Sequence, residues 1–91
     1  MKLRETFHMH SVKEVTRLRE RFGIRIRELR SRLGLTQEQL AERASISVDF
    51  LSLIERGRNS PSFENLDTLA EALHVSVAQL FTFEEASLEV K

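Results

Sequence analysis

Cysteine, tryptophan and tyrosine are absent from the 91 residues, proline occurs once and glycine three times. Without Cys, neither a disulfide nor a thiolate metal site can form. So few turn-formers suit an all-α chain and argue against a β-sandwich. No apolar run approaches the roughly 20 residues of a membrane-spanning helix. No apolar stretch follows the charges at the N-terminus, so a secretory signal is not expected and the expected compartment is the cytoplasm. The length fits one domain with a modest core.

Net charge is zero, but its distribution is lopsided. Residues 1–35 hold ten Lys/Arg and four Asp/Glu, and residues 36–91 hold four and ten, giving segments of +6 and −6. A basic segment can attract phosphates. Equally, Arg and Glu can alternate on solvated helix faces.

Met1 to Ser11 has little periodicity and reads as a loose arm. From Val12 onward Val15, Leu18, Phe22, Ile26, Leu29 and Leu33 recur every three or four residues, an apolar helical stripe. Gly23 interrupts it, so either one helix runs to Leu33 or two shorter ones divide near Arg21. Gly34 is a stop signal. Thr36 and Gln39 form a capping-box pair opening a helix from Gln37 to about Ala44, with Leu40, Ala41 and Ala44 inward. After Ser45-Ile46-Ser47, Ser47 caps a helix from Val48 to about Arg56 with Leu51 and Ile54 inward, and Gly57 ends it. Past the Arg58–Pro61 loop, Ser62 caps a fourth helix, Asn65 leaving the box incomplete, with the stripe Phe63, Leu66, Leu69, Ala70 and Leu73. Ser76 caps a short fifth helix carrying Val77, Leu80 and Phe81. The tail from Glu84 to Lys91 is polar and acidic.

Two short helices joined by about three residues must cross steeply. They need a small residue at the crossing, which Ala41 supplies, and an apolar anchor in the turn, which Ile46 supplies. The outer face of the second helix is then left open, and a DNA major groove admits an α-helix.

The stretch TQEQLAERASISVDFLSLIERG, Thr36 to Gly57, resembles the Cro/cI-type helix-turn-helix of phage repressors and XRE-like regulators. IRELRSRLGL, Ile26 to Leu35, is similar to the first helix of that family, and Asn59 to Phe81 to its fourth and fifth. LSLIERG and the chain's size also resemble small controller proteins of restriction–modification systems. The resemblance implies an all-α, compact five-helix lambda-repressor-like DNA-binding domain over residues 21–83, with the helix-turn-helix unit at 37–56. Residues 1–20 form an N-terminal helical extension and 84–91 a tail.

The DNA-facing set that the resemblance implies is Thr36, Gln37, Ser47, Val48, Asp49, Phe50, Ser52, Leu53, Arg56, Arg58 and Asn59. Gln37 would turn its backbone N–H to a phosphate, Val48, Asp49 and Phe50 would meet base edges, and Arg56, Arg58 and Asn59 would follow the backbone. Arg30 and Glu55 match a buried structural ion pair. Two departures stand out. Ser45 occupies a turn position where Gly is common, and needs either a left-handed conformation or a different turn. Val48, Asp49 and Phe50 replace the usual Gln, Arg, Lys or Thr; Val and Phe can only pack on thymine methyls or sugar edges, and Asp49 can accept from cytosine. Phe50 either enters the groove or packs under its helix.

The implied function is a transcriptional regulator, a repressor or autoregulator, binding double-stranded DNA at a palindromic operator as a homodimer. Val75, Val77, Leu80, Phe81 and Phe83 are the candidate dimer surface. The N-terminal stripe of Val12, Val15, Leu18 and Phe22 is the second candidate; it can also pack on the domain or lie along DNA through Lys13, Arg17, Arg19 and Arg21. The competing reading is a protein-interaction module of antitoxin or anti-regulator type on the same scaffold. No enzyme, cofactor, metal or membrane partner is expected: His8 and His10 lack further ligands at metal spacing, and His74 reads as a helix cap.

Overall fold

The computed structural model describes the backbone of residues 2–83 and the side chains of residues 17–83. The expected tail, 84–91, lies outside the described residues, as do the side chains of His8, His10, Val12, Lys13 and Val15. Five helices follow in order: α1 (Lys2–Arg32), α2 (Gln37–Ala44), α3 (Val48–Glu55), α4 (Phe63–Leu73) and α5 (Val77–Leu80). No strand occurs among the described residues. Nor is any helix there long and apolar enough to cross a membrane.

Each of α2 to α5 starts on a hydroxyl: Thr36, Ser47, Ser62 and Ser76 accept from a backbone N–H three residues on. This satisfies one of the orphan donors of each first turn. Three of the four are full capping boxes, through Gln39, Asn65 and Gln79. The box at Ser62 is therefore complete: Asn65 is one methylene shorter than Gln, yet its Oδ1 accepts from the Ser62 N–H at 3.1 Å.

The first four helices also end alike. Gly34, Ser45, Gly57 and His74 take left-handed backbone, with φ between 60° and 75°. Each is followed by an amide that reaches back to a last-turn carbonyl: Leu35 to Arg30, Ile46 to Ala41, Arg58 to Leu53 and Val75 to Ala70. That is the Schellman termination. Ser45 thus adopts the left-handed turn itself (φ 60°, ψ 41°), and His74 is a helix terminator.

α1 is a single helix. Lys2 to Phe22 holds neither Pro nor Gly, so nothing interrupts the backbone bonds, and residues 2–11, expected as a loose arm, are helical. Gly23 does not break the helix. It is the point where α1 crosses the end of α3: an added Cβ would collide with the carbonyl oxygen of Ile54 and lie 2.6 Å from that of Glu55. The glycine exists for close approach, which outweighs its poor helix propensity.

The core is built from one face of each helix, with Ile26, Leu40, Leu51, Ile54, Leu69 and Leu80 the largest fully buried side chains. Each contributes about 1.5–3 kcal/mol through burial. Ala41, 3% exposed, gives α3 and α4 the room they need against α2. Three residues placed inward by periodicity lie outside. Leu33 is 42% exposed, because the chain reverses at Gly34 and the inward position passes to Leu35. Phe63 is 84% exposed, because the first residue of α4 precedes the turn that reaches the core. Leu18 is 40% exposed.

A charged junction fixes α1 to α3. Glu55 has a fully buried carboxylate. Arg30 Nε donates to its Oε2 at 2.6 Å and Arg30 Nη2 to its Oε1 at 3.0 Å, a bidentate pair. Arg30 Nη1 also donates to the Leu35 carbonyl at 2.9 Å, bracing the turn after α1. The hydrogen bond to Glu55 raises the Arg30 pKa, burial working against it and losing.

Three changes test this framework. Gly23→Ala lowers stability by about 1–3 kcal/mol through overpacking, despite Ala being the better helix former, read as the urea midpoint. Glu55→Ala costs about 3–5 kcal/mol, because a buried charge loses its partner; a thermal melt at wild-type temperature contradicts this. Ser45→Gly gains about 0.5–1 kcal/mol by relieving left-handed strain, while Ser45→Val loses stability in the same assay.

Candidate nucleic-acid interface

α3 is eight residues long and uses one side for the core. Leu51, Ile54 and Glu55 are buried. Asp49 and Arg56 are exposed, and Ser52 and Leu53 are half-buried. Val48 and Phe50 are also half-buried and pack against the core. Of the three positions expected to meet base edges, only Asp49 is wholly outward. Phe50 takes the packed alternative in part: it is half-buried and packs against the core.

Gln37 stands at the first position of α2. Its side chain turns inward: Nε2 donates to Glu55 Oε1 at 2.9 Å. The buried carboxylate therefore gathers Arg30 from α1 and Gln37 from α2 while belonging to α3. Arg27 adds a longer approach, Nε to Oε1 at 3.8 Å, with half of its side chain exposed. The family resemblance pointed to Arg30 and Glu55 but not to Gln37 as a third member. A neutral side-chain amide at a helix start carries no signal for a partner 18 residues away.

Thr36 and Ser47 use their oxygens as cap acceptors, which leaves the hydroxyl proton to donate outward. Asn59 Oδ1 accepts from the Ser60 amide at 2.8 Å, shaping the loop after α3. Arg58 and Asn59 are exposed on that loop.

Beside the end of α3, Arg27, Arg56 and Arg58 line an open groove with Glu20, Ile24 and Glu55. Arg19 lies at the neighbouring loop, its Nε donating to Ser60 Oγ at 3.1 Å. Three guanidinium groups thus gather at the end of α3, and a fourth, that of Arg19, lies at the loop that follows it. Arg27 was not among the expected contact residues; its spacing from Glu20 and Ile24 puts all three on one side of α1, a pattern visible in the sequence only once that side is known to adjoin α3.

The candidate dimer surface separates into two kinds of residue. Leu80 is fully buried in the chain's own core and is withdrawn from it. Val77 and Phe81 are over a third exposed, and Val75 and Phe83 are partly buried against the core. Phe22, Phe81 and Phe83 form a run of rings, 5.0 and 6.2 Å between centroids, within the usual aromatic pairing range. Arg25, missed in the sequence because it falls among the polar residues of α1, is 8% exposed and donates to the Gln79 carbonyl at 3.0 Å, tying α1 to α5.

Residues 21–81 match the family described as "Helix-turn-helix domain". The uncharacterized HTH-type transcriptional regulator y4dJ of Sinorhizobium fredii is 42% identical over 65 residues, covering 71% of this chain and 84% of that protein. The HTH-type transcriptional regulator DdrOP3 of Deinococcus deserti is 46% identical over 56 residues, 62% of this chain but only 43% of the relative. Among solved structures, the restriction-modification controller protein C.AhdI from Aeromonas hydrophila superposes with a TM-score of 0.68 at 38% identity, over 69% of this chain and 96% of its own. With the closely joined α2–α3 pair, its buried junction and these matches in agreement, the chain belongs to the helix-turn-helix family of transcriptional regulators.

Proposed function

We propose that the chain is a sequence-specific DNA-binding regulator, a repressor or autoregulator, that places α3 in the major groove of a palindromic operator as a homodimer. The observation that carries this reading is the side of α3 left out of the core, on a helix anchored through Glu55 to α1 and α2, with Arg27, Arg56 and Arg58 gathered at its end. Residues 21–83 act as the binding domain, with 1–20 as an extension and 84–91 as a tail.

Within this reading the residues divide by chemistry. Asp49, Ser52 and Leu53 face base edges, joined by the outer rims of Val48 and Phe50. Asp49 suits a cytosine amino group, and Leu53 a thymine methyl. Thr36, Ser47, Asn59 and the backbone N–H of Gln37 serve phosphates, aided by the helix N-termini. Arg56 and Arg58 neutralise phosphates without reading sequence. So few base-reading polar groups shift part of the specificity onto DNA shape.

The test is binding to the protein's own promoter fragment against random DNA at two salt concentrations. A regulator prefers the specific fragment, with affinity falling steeply as salt rises. Arg58→Ala then weakens both fragments alike and flattens the salt slope by about one unit, whereas Asp49→Ala changes the preference. Absence of any preference at moderate salt transfers the scaffold to the protein-interaction reading.

A further inference from the structure

The segment from Gly57 to Pro61 carries Arg58 and Asn59, both assigned to phosphates above, yet it gives no buried residue to the core. Arg58, Asn59 and Ser60 are all exposed. Its own backbone does little to fix it. The Arg58 amide donates to the Leu53 carbonyl at 2.8 Å, and the Ser60 amide to Asn59 Oδ1 at 2.8 Å. These bonds stay within the segment or reach back into α3. Neither sets the loop against the rest of the molecule.

That placement comes from α1. Gly57 stands against Glu20: a Cβ added at Gly57 would lie 3.0 Å from the Glu20 Cα and 3.1 Å from its Cγ. Three residues on, Ser60 Oγ accepts from Arg19 Nε at 3.1 Å. Pro61 then lines an apolar groove of about 200 Å³ together with Leu18, Phe22, Leu66 and Phe81. Residues 18 to 20, less than one turn of α1, thus face the loop from its start to its end. The close approach at Gly57 sets how near the loop stands. The Arg19 bond sets where its outer half points.

We infer that Arg19 is a positioning residue for DNA binding, one that pins the loop after α3 through Ser60 so that Arg58 and Asn59 are held in place before DNA arrives. This rests on the DNA reading proposed above for those two residues. A loop that samples several arrangements binds only through the competent one, and the apparent affinity falls by the fraction of time spent there. An exposed loop without core residues is open to that loss, and a tie to a helix removes it. Arg19 precedes residue 21, where the family match begins, so the pin comes from the chain's own extension and not from the shared domain.

Two variants of the full chain test this: Arg19→Leu removes the donor, and Ser60→Ala removes the acceptor without touching a charge. Both melt with the wild type, because the bond is exposed. Binding to the protein's own promoter fragment is measured across a salt series. Each change weakens binding about twofold to tenfold, the scale of one hydrogen bond, and the double change weakens it no further than either alone. The salt slope keeps its wild-type value, since no phosphate contact is lost. A slope reduced by about one unit in Arg19→Leu makes Arg19 a direct phosphate ligand and overturns the proposal. Undiminished binding in either variant overturns it too, as do single effects that multiply in the double change. NMR relaxation of the free chain gives a readout without DNA: the backbone order parameters of Asn59 and Ser60 drop below the rigid value of about 0.85 in both variants. Order parameters equal to the wild type overturn the proposal even where DNA binding has changed. A chain that binds no DNA, yet loosens at this loop in both variants, overturns the DNA reading and the purpose assigned to the pin while the pin itself stands, so the two failures are told apart.

Discussion

One carboxylate holds the reading geometry together. Glu55 sits fully buried at the end of α3, where Arg30 of α1 and Gln37 of α2 donate to it. A buried ion must be matched closely or its desolvation outweighs the attraction. Here both oxygens are engaged, by a guanidinium fork and an amide. The consequence is orientation more than net stability: three helices are referenced to one point, so the face of α3 keeps a fixed attitude toward whatever it meets. Arg30 passes the constraint on to the Leu35 carbonyl, so the turn between α1 and α2 is set by the same group.

Gly23 and Ala41 supply the clearances that make this junction reachable. α1 can approach α3 closely enough for the Arg30 fork only because nothing stands between residue 23 and the carbonyls of Ile54 and Glu55. Ala41 plays the corresponding part between α2 and its neighbours. The polar junction and the small residues are two halves of one solution, since shortening the distance without the ion pair would leave the carboxylate unmatched.

Much of the fold is legible locally. Capping hydroxyls and apolar spacing bound α2 to α5 because they act within one or two turns, and the ends of those helices fall where Ser45, Gly57 and His74 stand. What escapes the sequence depends on distant partners. Gly23 has the same local appearance whether it breaks a helix or admits a crossing one. Leu33 and Phe63 continue an apolar stripe past the point where the core ends. At the candidate site, Arg30 and Glu55 could be named from the family resemblance, but the inward turn of Gln37 and the burial of Arg25 could not. Val48 and Phe50 share the outward helix positions with Asp49, and only packing shows that they lean back on the core.

The contact at Gly23 also has a mechanical meaning. Most helices touch through a layer of side chains that can rotate and absorb displacement. Here backbone meets backbone, and interiors packed at that density are stiff. The turn of α1 just before it is held to the domain as well, Arg19 on Ser60 and Phe22 on Phe81. A side chain added at residue 23 therefore cannot be absorbed by a rotamer change: the end of α3 itself has to move.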